Sequence, residues 1–248
     1  SHNNPLVLAA DQIMRGGFDG AAENPVHGSA YSNLHDREHL ASADMCGSCH
    51  DIVNLKGAHI ERTFKEWKSS LFADPNNADR STCNRCHMPG RTDVVADYEG
   101  VSLRRHHDHK MVGVDVALGD FPDREAQRAA IQRSLNTTLQ AKLCVGLGVG
   151  ERISMVVLEN LGAGHSWPSG AAQDRRAWVE LRGYVGDELV YTSGVVEDDE
   201  VLMGRPDDEE LWTLGDEVFD ANDQHVHMHW DIERISSNAL PSHGPHRG

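Results

Sequence analysis

At residues 46–50 the chain reads CGSCH, and at 83–87 it reads CNRCH. Each pentapeptide sets two thiols three positions apart and a histidine directly after the second. C-x-x-C-H is the attachment signature of c-type haem. The chemistry accounts for every position. Two thiols add across the two vinyl groups of one porphyrin, so their spacing must match the vinyl separation, and the adjoining imidazole comes to lie under the iron as proximal ligand. Cys46 and Cys49 are thus expected to hold one haem c with His50 as axial ligand, and Cys83 and Cys86 a second with His87.

Two other chemistries use CxxC pairs. A zinc ribbon places its two knuckles about 15–20 residues apart, whereas 33 residues separate Cys49 from Cys83. Zinc also has no need of a histidine after the second thiol. A thioredoxin-like dithiol occurs once, near a βαβ pattern, and the surroundings here are rich in loops. The repeated terminal histidine favours haem.

The chain has 248 residues, of which 39% are hydrophobic and 6% aromatic. That is a lean protein core, as expected where a bulky apolar prosthetic group supplies part of the interior. Thirty-nine acidic residues against 23 Lys and Arg give a net charge of −16, which excludes nucleic acid and anionic membrane surfaces as natural partners and suits a basic one. No run of about 20 apolar residues is present, so no membrane span is expected. The chain opens SHNNPLVLAADQ, without the basic start and apolar core of a signal peptide, and these residues are read as either a processed terminus or an expression remnant, which says little about location. Covalent haem attachment takes place outside the cytoplasmic membrane, so the expected location is periplasmic or extracellular.

Residues 1–121, with ten of the sixteen histidines and little sustained periodicity, are expected to form a dihaem domain of short helices and loops. Within it ERTFKEWKSSLFA, residues 61–73, sets Phe64, Trp67, Leu71 and Phe72 at helical spacing, an apolar face for a porphyrin or a neighbouring helix. Residues 122–136 predict a connecting helix with Pro122 near its start. From 137 to 248 the period changes to two. TLQAKLCVGLGV alternates Leu139, Ala141, Leu143, Val145 and Leu147, and RISMVVLENL, AWVELRGYV, ELVYTSGVV and HVHMHWDIERI are further strand candidates between Gly, Asn and Asp turns. The expected fold class is α+β, with the dihaem domain followed by an antiparallel, Ig-like β-sandwich ending in an irregular PSHGPHRG tail. The fifth cysteine, Cys144, falls on the face opposite Leu143 and Val145 and is expected to be a buried or half-buried free thiol.

A histidine-held iron needs a second axial partner. Two histidines give a closed iron suited to electron transfer, and an open side allows catalysis. Candidates crowd the attachment motifs: His106, His107 and His109 in RRHHDHKMVG, His27, His35 and His39 in NPVHGSAYSNLHDREHL, His59 between the motifs, and His165 in GAGHSWPSG. His109 and His27 rank first, with His165, His107, His59 and His35 behind. His225, His227 and His229 alternate and would share one face of a strand. Such a trio suits a metal ion, a solvated edge or a subunit contact.

CGSCHDIVN followed by ERTFKEWKSS, then CNRCHMPG and HDHKMVGVD, resembles the multihaem c-type cytochromes of the cytochrome c-554 and related bacterial type. In that group CxxCHMP is commonly followed by an H-x-Φ-x-G element whose histidine is a distal ligand, which the resemblance carries to His109. An upstream histidine in a context like SP-x-H serves likewise, matching His27 in NPVHGSA. NLGAGHSWPSGAAQDRRAWVEL is similar to the GH-x-x-P-[ST]-G element that opens a β-rich module in several of these proteins. The chain departs where an EW-x-x-S helix usually runs into a histidine, since Leu71 and Phe72 follow here. It also shows two attachment motifs where relatives often have four or more. The resemblance therefore implies electron transfer by a bacterial cytochrome with two bis-His haems, as a subunit or segment of a larger system. Its partners would be other redox proteins or haem subunits, with homo- or hetero-oligomers allowed. The alternative is a haem enzyme with one open iron reducing a small substrate.

Overall fold

The computed structural model describes residues 2–23, 26–147, 152–197, 200, 202 and 207–242. The expected PSHGPHRG tail lies, from residue 243 on, outside the described residues. In chain order the elements are β1 (Ile13–Gly16), β2 (Gly28–Tyr31), α1 (Ser42–Gly47), β3 (Ile52–Val53), β4 (His59–Glu61), α2 (Thr63–Lys68), α3 (Cys83–His87), β5 (Gly90–Val94), β6 (Leu103–His107) and α4 (Arg124–Leu135). There follow β7 (Leu139–Leu147), β8 (Arg152–Asn160), β9 (Ala177–Trp178), β10 (Leu181–Val185), β11 (Glu188–Ser193), β12 (Thr213–Leu214), β13 (Asp216–Phe219) and β14 (Arg234–Ser237). The chain is therefore mixed α+β, as expected. Among the described residues no helix is long and apolar enough to cross a membrane.

The sandwich expectation does not hold in that form. All seven ladders among the described residues are two-stranded, so the described strands do not build the broad sheets a sandwich stacks. Period-two patterning identified strands, but it does not choose their partners. The division of the chain also falls elsewhere than at 121–137. One compact unit comprises Ser1–Asp51, Thr63–His165 and Pro241–Gly248, and the other Ile52–Arg62 and Ser166–Leu240.

The first unit holds both pentapeptides. Its core is Ala43 of α1 with Phe64 and Trp67 of α2, against which Leu40, Phe72, Ala73 and Cys83 pack. The two rings lie 5.8 Å apart at 23°. The apolar face of α2 thus rests on α1, the neighbouring-helix alternative. α2 stops at Lys68, and Leu71–Ala73 forms a separate turn of tighter helix capped by Ser70. Within this unit two short ladders occupy the region expected to be helix and loop, the parallel β1–β2 pair and the antiparallel β5–β6 pair. The antiparallel β7–β8 pair, expected as strands of the later module, groups with this unit as well. Cys144 sits opposite Met155 in the β7–β8 register and is exposed. The expected burial fails because β7 is exposed from Gln140 to Gly146.

The second unit is built on Ala58, Ile60, Val218 and Ile232, with Val226 and Ile235 packed against them. Asn54 ties its turn together: Oδ1 accepts from Lys56 N and Ala58 N, and Nδ2 donates to the carbonyls of His229 and Ile232. The histidine trio is not on a strand. His225 makes an isolated bridge to Phe219 and packs tilted against its ring, with centroids 4.4 Å apart, after which the chain turns at Met228–Asp231. That turn breaks the alternation, and His229 leaves for Gln173 Nε2 at 2.8 Å. No group of three or more His, Cys, Asp and Glu among the described residues is arranged to hold a metal ion.

Candidate functional site

Positions i, i+3 and i+4 of a helix share a face, and both pentapeptides exploit this. α3 is the second motif, Cys83–His87, started by Thr82, whose Oγ1 accepts from Arg85 N at 3.3 Å. The first motif begins in the last turn of α1 and continues in helical turns, with His50 N donating to Cys46 O at 3.0 Å. Its second position has to be small. A Cβ on Gly47 would lie 2.3–2.6 Å from the Phe64 ring atoms. α2 therefore fixes the first motif directly, and it holds the approach to the second through Trp67 Nε1, which donates to Ser81 O at 2.9 Å.

The four motif cysteines are free thiols, with Cys46 and Cys83 half-buried and Cys49 and Cys86 exposed. The first cysteines of the two motifs meet, and Cys46 Sγ also contacts Asn84 Oδ1 at 3.2 Å. The S–H of Cys83 donates to Cys46, which holds the Cys46 thiol down at about 7 against the opposing effect of burial. Cys83, as the donor and more deeply buried, is pushed up. The first thiols of the two pentapeptides are thus side by side.

His87 has one nitrogen committed. Its Nδ1 lies 2.7 Å from the Val112 carbonyl and donates to it. Its ring stands 6.3 Å, centroid to centroid, from that of His165, with planes 19° apart. The loop bearing His165 is held at three points. Asn160, 3% exposed at the end of β8, donates through Nδ2 to His165 O at 2.7 Å and accepts from Ala163 N. Gly162 lies so close to the end of α4 that a Cβ would meet Thr137 O at 2.5 Å. Gly164 has φ +70°, and a Cβ there would sit 3.3 Å from the Phe72 ring.

The other candidate histidines are more scattered. His27 is half-buried, its Nδ1 3.2 Å from the Gly28 carbonyl. His35 is half-buried, with no hydrogen bond to its buried Nδ1. His107 is half-buried, likewise lacks a hydrogen bond at Nδ1, and has its imidazolium disfavoured by burial and then by Arg37. His109 is exposed and lines a 480 Å³ cavity with Phe18, Arg91, Val94, Val95, His106 and His107. His59 is exposed on β4, in the second unit. The structure thus pairs His87 with His165, a residue the sequence reading assigned to a separate module. Sequence reasoning missed Asn84, the Val112 carbonyl and Arg37. The last stands among the histidines of NLHDREHL, a stretch read only for its imidazoles.

No family model matches the sequence, and no curated protein matches it. Among solved structures the chain is similar to a penta-heme cytochrome c552 from Thermochromatium tepidum, at 19% identity and a TM-score of 0.48. The match covers 88% of this chain and 48% of that one, so the chain spans about half the length of that protein.

Proposed function

We propose that the chain is an electron-transfer cytochrome carrying two covalently bound haems. One is attached through Cys46 and Cys49 with His50 as proximal ligand. The other is attached through Cys83 and Cys86, with His87 as proximal and His165 as distal ligand. The observation that carries this reading is the His87–His165 pair. Their rings stand 6.3 Å apart, centroid to centroid, with planes 19° apart, so the two imidazoles could both be ligands of one haem iron. The Val112 carbonyl on His87 Nδ1 supplies the outer hydrogen bond that fixes the tautomer and raises ligand basicity.

The remaining residues fit the same group. The motif thiols carry no disulfide and lie three residues apart in helical turns, where both can reach one porphyrin edge. Haem supplies a reversible one-electron iron couple when bound. Two imidazoles on one iron close it to small ligands, which favours electron transfer over the alternative enzyme with an open site. The contact between Cys46 and Cys83 brings the two attachment points together, which suits exchange of electrons within the unit. His109, in the HKMVG element and on the wall of the cavity it shares with His106 and His107, is the candidate partner of His50. A periplasmic or extracellular location and redox-protein partners belong to the same proposal.

The test is optical. A pyridine haemochrome assay should count two haems per chain, and the mass should exceed that of the polypeptide by two haems. Carbon monoxide should leave the spectrum of the reduced native protein unchanged. In His165→Ala it should bind one haem of the two. Carbon monoxide binding to the native protein would move the reading to an enzyme with an open iron, and a colourless polypeptide would end it.

A further inference from the structure

Beside the second attachment helix lies a buried arginine with two hydrogen-bonding nitrogens that lack acceptors. Arg37 is 5% exposed, and neither its Nε nor its Nη1 is hydrogen-bonded. The Glu38 carboxylate is 3.3 Å from Nε, within ion-pair reach but outside hydrogen-bond geometry. Glu38 is itself half exposed and shared with Arg85 at 3.7 Å. The position of Arg37 is built. Thr82 Oγ1, at the start of α3, donates to its carbonyl at 2.9 Å. Its guanidinium reaches into the β5–β6 hairpin, where a Cβ on Gly90 would stand 2.6 Å from Nη1 and 2.1 Å from His106 O. Only glycine leaves room for the arginine there.

The surroundings are cationic in a strongly acidic chain. Arg105 and Arg85 bring further positive charge toward Arg37, and Glu38 opposes them. Asp36, the other nearby acid, accepts a hydrogen bond from the Tyr31 hydroxyl at 2.8 Å. Three arginines thus face two carboxylates. A planar guanidinium fork matches a carboxylate, and a desolvated cation is retained where an anion meets it.

We propose that Arg37 is a positioning residue that receives a propionate carboxylate of one of the two haems, flanked by Arg85 and Arg105. The proposal rests on the haem reading above and deepens it. A fixed cation at a haem carboxylate favours the form carrying the extra electron, so Arg37 raises the potential of the haem it holds.

The experiment compares midpoint potentials of the holoprotein with those of Arg37→Gln and Arg37→Lys. In Arg37→Gln one of the two haems should become about tenfold harder to reduce, equal to 59 mV for a one-electron couple. The other haem should stay put, and Arg37→Lys should recover most of the loss. An Arg37→Gln protein that keeps two haems and moves neither equilibrium more than twofold overturns the proposal. Should that variant fail to fold, redox-difference infrared spectra of the native protein and Arg37→Lys, with haem labelled at the propionate carbons, decide instead. A labelled carboxylate band that moves between the two supports the clamp, and identical bands overturn it. Acetate or inorganic phosphate added at constant ionic strength should not move the native potentials. A shift that disappears in Arg37→Lys would assign the site to a free anion and overturn the proposal. Two haems with unmoved potentials refute only the clamp, whereas a colourless native chain refutes the haem reading itself.

Discussion

Gly164 carries a conformational demand that reaches the site through its neighbour. Its φ of +70° is the left-handed region, and an added Cβ would press on the Phe72 ring at 3.3 Å. An L side chain there costs about 1–2 kcal/mol from backbone alone, and the ring contact pushes against the residue that precedes His165. Gly186, in the β10–β11 turn, has nearly the same φ of +61° and nothing within 4 Å of its added Cβ. The two glycines separate backbone cost from site displacement. Gly164→Ala and Gly186→Ala should both lower the thermal midpoint by a similar few degrees. Only Gly164→Ala should let carbon monoxide reach a fraction of one haem in the reduced holoprotein. Equal optical behaviour of the two variants would show that the 160–165 loop does not position His165. Gly186 was legible as a turn glycine between two strand candidates, whereas the role of Gly164 depends on the distant Phe72 ring that its backbone approaches.

Among elements, α2 has the widest reach. Its Phe64 ring caps Gly47 of the first motif, and its Trp67 indole holds Ser81, two residues ahead of the second. Trp67 is 8% exposed and packs with Ala43 and Phe64. Trp67→Ala removes both the packing and the hydrogen bond and should cost about 3–5 kcal/mol. Trp67→Phe keeps most of the packing and should cost less than half of that. Chemical denaturation of the holoproteins measures the difference, and equal losses would mean that packing contributes little. The spacing of Phe64 and Trp67 already announced this helix, as Pro122 and the run after it announced α4 and the alternating apolar residues announced β7 and β8. These features are local, and the sequence states them locally. The pairing of strands, the exposure of Cys144 and the turn that breaks the histidine trio depend on contacts made far along the chain. The site divides in the same way. The CxxCH pentapeptides are contiguous and could be read at sight. The partnership of His87 with His165 spans 78 positions, and the burial of Arg37 needs Thr82 and Gly90 to meet it.

For the molecule as a whole, charge is the quantity that separates the two units. The second unit holds 19 of the 39 acidic residues but only 7 of the 23 Lys and Arg, a net of −12 out of −16. Both CxxCH pentapeptides lie in the other unit, which is close to balanced. Chemistry and long-range field are thus carried by different parts of the chain. A field of this sign attracts a redox partner with a basic surface and can raise encounter rates by roughly 10 to 10³. Salt weakens that attraction as the Debye length falls from about 30 Å at 0.01 M to about 8 Å at 0.15 M. The second-order rate of electron transfer to a basic redox protein should therefore drop by about tenfold or more across that range, with little change in midpoint potentials. With an acidic partner the sign reverses, and the rate should rise with salt as repulsion is screened. Replacing Asp207, Asp208, Glu209 and Glu210 with their amides removes four negative charges from the second unit and should flatten the salt dependence toward the basic partner. A slope unchanged by that substitution would place the steering field on the unit that holds the two pentapeptides instead. A rate indifferent to salt with both partners would remove electrostatics from docking, leaving contact chemistry alone to select who exchanges electrons with this chain.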